Sequence, residues 1–242
     1  MKILSIGNSF SEDAQRYLHS VAASDGLDVY TVNLCIGGCT LEAHYNNMNS
    51  GEANYTFQEN GIITERKISI DEALMLENWD VVTLQQASPY SFKEDSYYPY
   101  ITELASYIRE RVPGAKLVIH QTWAYEDGSD AMLDRYGDAD ASKMLADVKI
   151  TYHRAAKEVN ADGIIPSGEL LGELAIDMGI KVHKDTLHAS LGLGRYAIAL
   201  LWYRSLTGRS VLKNSFAAFD ESVSEEQINV VKTVVESYPK II

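Results

Sequence analysis

Met1-Lys2-Ile3-Leu4-Ser5-Ile6-Gly7-Asn8-Ser9-Phe10-Ser11 passes from a short apolar, β-prone run directly into glycine, asparagine and serine. Such a run followed by an amphipathic stretch reads as strand, tight turn and helix, the repeating unit of an α/β fold. Further β-rich runs at 28–34, 80–84, 116–120 and 163–165 alternate with helical periodicity over 12–24, 98–111, 142–159, 168–178, 192–206 and 224–238. Runs such as Val81-Val82-Thr83-Leu84 show no in–out alternation, as expected of parallel strands covered by helices on both faces. The pattern predicts a three-layer, doubly wound, flavodoxin-like α/β domain with a five-stranded parallel sheet, spanning 1–242 as a single unit. Asn60-Gly61 between two β-prone runs predicts a small β-hairpin insertion at about 54–69. The acidic stretch 122–140 reads as an ordered surface loop, and Ser224 with Gln227 as a capping box.

Composition narrows the function. Of 242 residues, 46% are hydrophobic and 23% charged, an ordinary globular mixture that excludes disorder and a disulfide-stapled miniprotein. The 34 acidic residues against 21 Lys and Arg give a net charge of −13. Nucleic acid and anionic membrane are therefore not expected partners, and neutral or cationic ligands fit the overall charge better. The apolar run at the start is too short for a signal peptide, and no run reaches membrane-spanning length. A cytoplasmic location is expected if the chain is complete, and a secreted or periplasmic one if an export signal has been removed. The sequence leaves the oligomeric state open.

Two short motifs carry chemistry. Ser9 sits on a tight strand-to-helix turn, where the helix-start amides can stabilise negative charge, although Ser9 or Ser11 could instead simply cap the helix. Near the other end, Asp185-Thr186-Leu187-His188 puts a carboxylate three residues before a histidine. That spacing lets the carboxylate hold Nδ1–H while Nε2 faces a serine, although the same motif also occurs as a plain surface turn. No His, Asp, Glu and Cys set has zinc-ligand spacing, so neither metal nor cofactor is expected.

Together these motifs resemble the SGNH (GDSL-like) hydrolases, and in particular an uncharacterised bacterial branch with a Gly-Asn-Ser-Phe first block. Gly7-Asn8-Ser9 matches the first block, Asn33-Leu34-Cys35-Ile36-Gly37-Gly38 the second, with its glycine at Gly38, and Asp185 to His188 followed by Gly192 the last. The resemblance implies a serine esterase acting on a small acyl ester, with a carbohydrate O-acetyl ester as the substrate that analogy suggests. It assigns Ser9 as nucleophile, His188 as general base and Asp185 as its orienter, with backbone N–H groups of Ser9 and Gly38 in the oxyanion hole. The third block departs from the pattern: Leu84-Gln85-Gln86-Ala87-Ser88-Pro89 stands where an asparagine is usual. Gln86 is the expected third donor, with Ser88 or Gln85 as substitutes. His120, Trp123, His44 and Ser88 are candidate substrate-binding residues, while His19, His153 and His183 are expected at the surface. Two other classes stay open on sequence grounds: a flavodoxin-like phosphate-binding module and a non-catalytic carbohydrate-binding protein.

Overall fold

The computed structural model describes residues 1–242. Strands β1 (Lys2–Gly7), β2 (Tyr30–Cys35), β5 (Val81–Leu84), β6 (Lys116–His120) and β7 (Gly163–Ile165) are parallel. The hairpin strands β3 (Tyr55–Glu59) and β4 (Ile62–Ile68) join them, giving one seven-stranded sheet in the order β4-β3-β2-β1-β5-β6-β7. The sheet thus has seven strands rather than the five expected. The predicted hairpin is part of the sheet, pairing antiparallel with the outer edge of β2 through Val32↔Glu59 and Leu34↔Phe57. The physical reason is that β2 is buried, so the backbone groups on its outer edge need partners. Asn60 and Gly61 both have positive φ, at 50° and 77°, as a two-residue type I′ turn requires. A Cβ on Gly61 would lie 2.3 Å from the Arg16 carbonyl oxygen, so the hairpin tip docks where only glycine fits.

Helices cover both faces. Helices α1 (Ser9–Gln15), α2 (Leu18–Ser24), α7 (Ser167–Gly172), α8 (Leu193–Thr207) and α9 (Glu225–Glu236) pack on the face that carries Ile3, Val81 and Val118. Helices α3 (Leu41–Ser50), α4 (Ile70–Leu74), α5 (Tyr100–Arg111) and α6 (Ala141–Glu158) cover Leu4, Ile6, Val82 and Leu84 on the other. Successive residues of β1 therefore feed two different cores, which is why the strand lacks a polar face. No helix is long and apolar enough to cross a membrane.

Local signals explain the differences in element boundaries. The expected helix 12–24 begins at Ser9 and is divided into α1 and α2. Helix α3 escapes the periodicity because only Leu41 and His44 of its ten residues are buried. Ser224 and Gln227 do form a capping box. The acidic loop is not wholly a surface feature: Thr122 to Tyr125 are buried, and Met132–Tyr136 forms one wide π-helical turn.

Candidate active site

Strand order reverses direction at β1, with β2 continuing the sheet one way and β5 the other. The crevice at the carboxyl ends of these strands is where doubly wound folds bind ligands, and the turn after β1 opens into it. Gly7 is required there because a Cβ would lie 2.3 Å from Ser11 Oγ. Asn8 caps α1, its Oδ1 accepting from Phe10 N at 3.0 Å and from Gln85 Nε2 at 2.6 Å. Its Nδ2 donates to the Cys39 carbonyl at 3.1 Å, tying the Gly38 loop to the serine turn. An aspartate in this place could not make that last bond, which gives Asn8 a structural reason of its own. Buried hydrogen bonds set the seat of α1 on the sheet: Ser11 Oγ to Asn33 Oδ1 at 2.7 Å, Gln15 Nε2 to Ser5 Oγ at 2.6 Å, and Ser5 Oγ with Thr83 Oγ1 at 2.7 Å.

Ser9, His188 and Asp185 meet. Ser9 Oγ lies 2.9 Å from His188 Nε2, and His188 Nδ1 lies 2.9 Å from Asp185 Oδ2. A carboxylate facing Nδ1 fixes the proton there, leaving the Nε2 lone pair directed at the serine hydroxyl. Asp185 Oδ1 also accepts from the backbone N–H groups of His188 at 2.8 Å and Leu187 at 3.3 Å. Burial pushes the Asp185 carboxyl up, but these bonds and the nearby His188 outweigh it and hold the group below its ordinary range. The loop reaches this shape through Thr186 at φ 66°, a left-handed conformation that costs a β-branched residue energy and marks a locally strained site.

A buried ion pair joins the two halves of this arrangement. Asp13 stands one helical turn after Ser9 on α1, and its Oδ2 accepts from Ala189 N, beside His188, at 3.0 Å. Its Oδ1 accepts from Arg195 Nε at 2.8 Å, and Arg195 extends to Asp220, which Arg16 grips with two bonds of 2.6 and 2.7 Å. Burial pushes the Asp13 carboxyl above its ordinary range, while the charge and hydrogen bond of Arg195 pull it back. Asp13 belongs to no motif in the sequence. The available signal was a carboxylate at i+4 from Ser9, next to the buried stripe of Phe10, Ala14 and Tyr17.

A cleft of about 420 Å³ opens on Ser9 and His188, lined also by Asn8, Phe10, Gly37, Gly38, Ser88, Pro89, Arg135 and Leu187. Gly38, at φ 66°, has a backbone N–H with no partner in the fold. Ser9 N–H is the first of α1 and has no carbonyl within the helix to bond. Ser88 lines the cleft, and its Oγ accepts from Tyr125 OH at 3.2 Å.

Four expected site residues lie elsewhere. Gln86 is not a wall of the cleft: its Oε1 accepts from Leu41 N and Ala87 N at 3.0 and 2.8 Å, and its Nε2 donates to Ser96 O at 2.9 Å. That fully occupied amide braces the loop after β5. His120 is completely buried, held by Gln85 Oε1 at 2.7 Å and Ser167 Oγ at 3.1 Å. His44 is equally buried against Tyr55 OH at 2.7 Å. Burial pushes both imidazoles down to about 3, so both are neutral. Trp123 lies under Phe10, stacked at 4.3 Å, and donates to Leu187 O, supporting the cleft floor from behind. A separate apolar cavity of about 220 Å³ lies beyond it, lined by Leu171, Ile176, Val182 and His183, the last buried rather than at the surface.

The sequence profile of the family described as "Domain of unknown function (DUF4886)" matches residues 2–237. The chain belongs to the DUF4886 family. A DUF4886 family protein from Bacteroides uniformis is 34% identical, with a TM-score of 0.91 over 98% of this chain and 93% of that one. A provisionally assigned SGNH hydrolase from Slackia heliotrinireducens is 22% identical, with a TM-score of 0.59 over 84% of this chain and 96% of that one. An acetylxylan esterase from Geobacillus stearothermophilus is 15% identical, with a TM-score of 0.53 over 84% of this chain and 92% of that one. None of the curated proteins matches this DUF4886 chain. At such low identity the last two structures speak for the fold alone: this DUF4886 member has the SGNH-hydrolase architecture.

Proposed function

We propose that this chain is a serine esterase that hydrolyses a small acyl ester, with an O-acetyl ester of a carbohydrate as its substrate class. The observation that carries this reading is the unbroken chain from Ser9 Oγ through His188 to Asp185, each step 2.9 Å. The fold shared with an acetylxylan esterase supports it. In this mechanism Ser9 Oγ attacks the ester carbonyl as His188 Nε2 takes its proton, and Asp185 steadies the imidazolium that forms. The negative oxygen is met by the N–H groups of Ser9 and Gly38 and the Ser88 hydroxyl, donors fixed before the charge develops. His188 returns the proton to the leaving alcohol, and water activated by the same imidazole then releases the acyl group. No step is assigned to a metal.

Active-site labelling tests the proposal. A fluorophosphonate probe should modify one peptide, the one containing Ser9, and Ser9→Ala should lose both the label and hydrolysis of 4-nitrophenyl acetate in the presence of a chelator. Labelling at another residue, or full turnover by the alanine variant, would overturn it.

A further inference from the structure

The lining of the cleft differs in charge from the molecule around it, with the Asp185 carboxylate set behind His188. The chain as a whole carries −13, and the stretch 126–140 alone holds Glu126, Asp127, Asp130, Asp134, Asp138 and Asp140. Yet the residues lining the Ser9 cleft include one arginine, Arg135, and no carboxylate. Arg16, Arg111, Arg154, Arg195 and Arg204 each pair with an acidic side chain; Arg135 makes no ion pair, and of the arginines without one, Arg66, Arg109, Arg135 and Arg209, it is the one that lines the cleft. Its one side-chain neighbour of note is the Tyr125 ring, 6.0 Å from the guanidinium carbon, at the outer limit of a cation–π contact. Arg135 also faces the Tyr125 hydroxyl, and no carboxylate occupies the other donors of its planar fork, which lie in the cleft with Ser88, whose hydroxyl Tyr125 holds.

Arg135 is also presented by a fixed element. The π-helical turn Met132–Tyr136 is anchored at both ends: Met132 is fully buried, and Tyr136 packs edge-on against Phe92 at 5.0 Å and donates to Asp147 at 2.7 Å. Gly137 closes the turn in the left-handed region, its N–H bonding Met132 O at 3.0 Å. Wide turns of this type cost helical hydrogen-bond geometry and recur at functional sites, where they aim a side chain. An arginine held this way, unpaired in an acidic loop and facing a cleft, suits a planar anion, which guanidinium binds through two parallel bonds.

Resting on the serine esterase reading above, we infer that the substrate carries a carboxylate close to its scissile ester, and that Arg135 selects for it. The carboxylate could belong to the alcohol part, as in an acylated acidic sugar, or to the acyl part. Overall charge predicts the reverse preference, because net charge acts at long range and is screened, while recognition is set by the groups at the site.

Matched esters separate the possibilities. For the alcohol side, 3-acetoxybenzoate is compared with its neutral methyl ester; for the acyl side, 4-nitrophenyl hydrogen succinate is compared with 4-nitrophenyl butyrate. The wild-type protein should favour the charged member of one pair in kcat/KM by about 10- to 100-fold, the range expected of a hydrogen bond to a charged group. The pair that responds identifies which part bears the carboxylate. Arg135→Gln should collapse that ratio, Arg135→Lys should keep part of it, and Arg135→Glu should invert it. Because Arg135 is exposed, each variant should show the wild-type melting temperature. Hydrolysis of all four esters with no charge preference, or a preference that survives Arg135→Gln, overturns this inference and leaves the esterase reading standing. No hydrolysis of any ester, together with no labelling of Ser9, overturns the esterase reading itself.

Discussion

Replacing Arg195 with methionine tests whether the buried ion pair holds the serine helix to the histidine loop. The Asp13 side chain is 2% exposed and that of Arg195 10%, so removing the guanidinium strands a carboxylate in the interior with Ala189 N–H as its remaining donor. Breaking a buried pair by deleting one partner costs about 3–5 kcal/mol. For 242 residues the unfolding entropy is about 0.5 kcal/mol/K, so Tm should fall by about 6–10 °C. Urea titrations should show a lower midpoint at an unchanged m-value, which marks a loss of stability rather than a change in compactness. Asp13→Asn alone keeps an oxygen for Ala189 N–H, and combined with Arg195→Met it removes both charges. The double variant should therefore be more stable than Arg195→Met alone, with a coupling energy above about 1 kcal/mol. Asp13→Ala, which also deletes the acceptor, should let the histidine loop shift, and a displacement of about 1 Å can lower kcat about 10²-fold. A cost below about 1 kcal/mol for Arg195→Met, or strict additivity in the cycle, would refute the role given to this pair.

Two other outcomes follow from the buried polar groups. Gln86→Ala should lower the urea midpoint, since stranding Leu41 N and Ala87 N costs about 1–3 kcal/mol each, while kcat at permissive temperature changes by only a few-fold; a 10²-fold fall in kcat at unchanged stability would return Gln86 to the oxyanion hole. His44 and His120, pushed down to about 3 in the fold, take up protons near pH 6.5 only when unfolded. The unfolded state thus binds more protons across that interval, and stability should fall as pH drops below about 6.5, approaching about 1.4 kcal/mol per pH unit for each histidine. Chemical denaturation between pH 6 and 4.5 checks the sign, and His44→Gln should reduce the slope by about 1.4 kcal/mol per unit.

The parallel strands and the Ser9, Asp185 and His188 motifs were legible because each rests on a local signal: an apolar run ending in glycine, or a fixed spacing. The hairpin was legible as a turn but not as sheet edge, since Asn60-Gly61 fixes a local bend while the partner strand is set by what the edge of β2 lacks. Gln86, His120 and His44 misled because residue type tells what a side chain can do and not which partner has already claimed it. Arg135 and Asp13 were invisible for the complementary reason. Folding places each beside residues far away in the chain, Arg135 in the cleft of Ser9 and Asp13 on Arg195 across 182 positions, and no window of sequence contains both ends.

The strand order also bears on how the chain assembles as it leaves the ribosome. β1 leaves first of the seven strands yet becomes the centre of the sheet, so until Val81–Leu84 follows, one of its edges has no partner and is open to wrong pairings. Ser9 emerges 179 residues before His188, the histidine it meets in the fold. Under the mechanism proposed above, a nascent or truncated chain carries the serine inert, and reactivity switches on only when the segment bearing Asp185 and His188 has docked. Covalent labelling of Ser9 is in this sense a clock for the last stage of assembly, readable on stalled chains of increasing length.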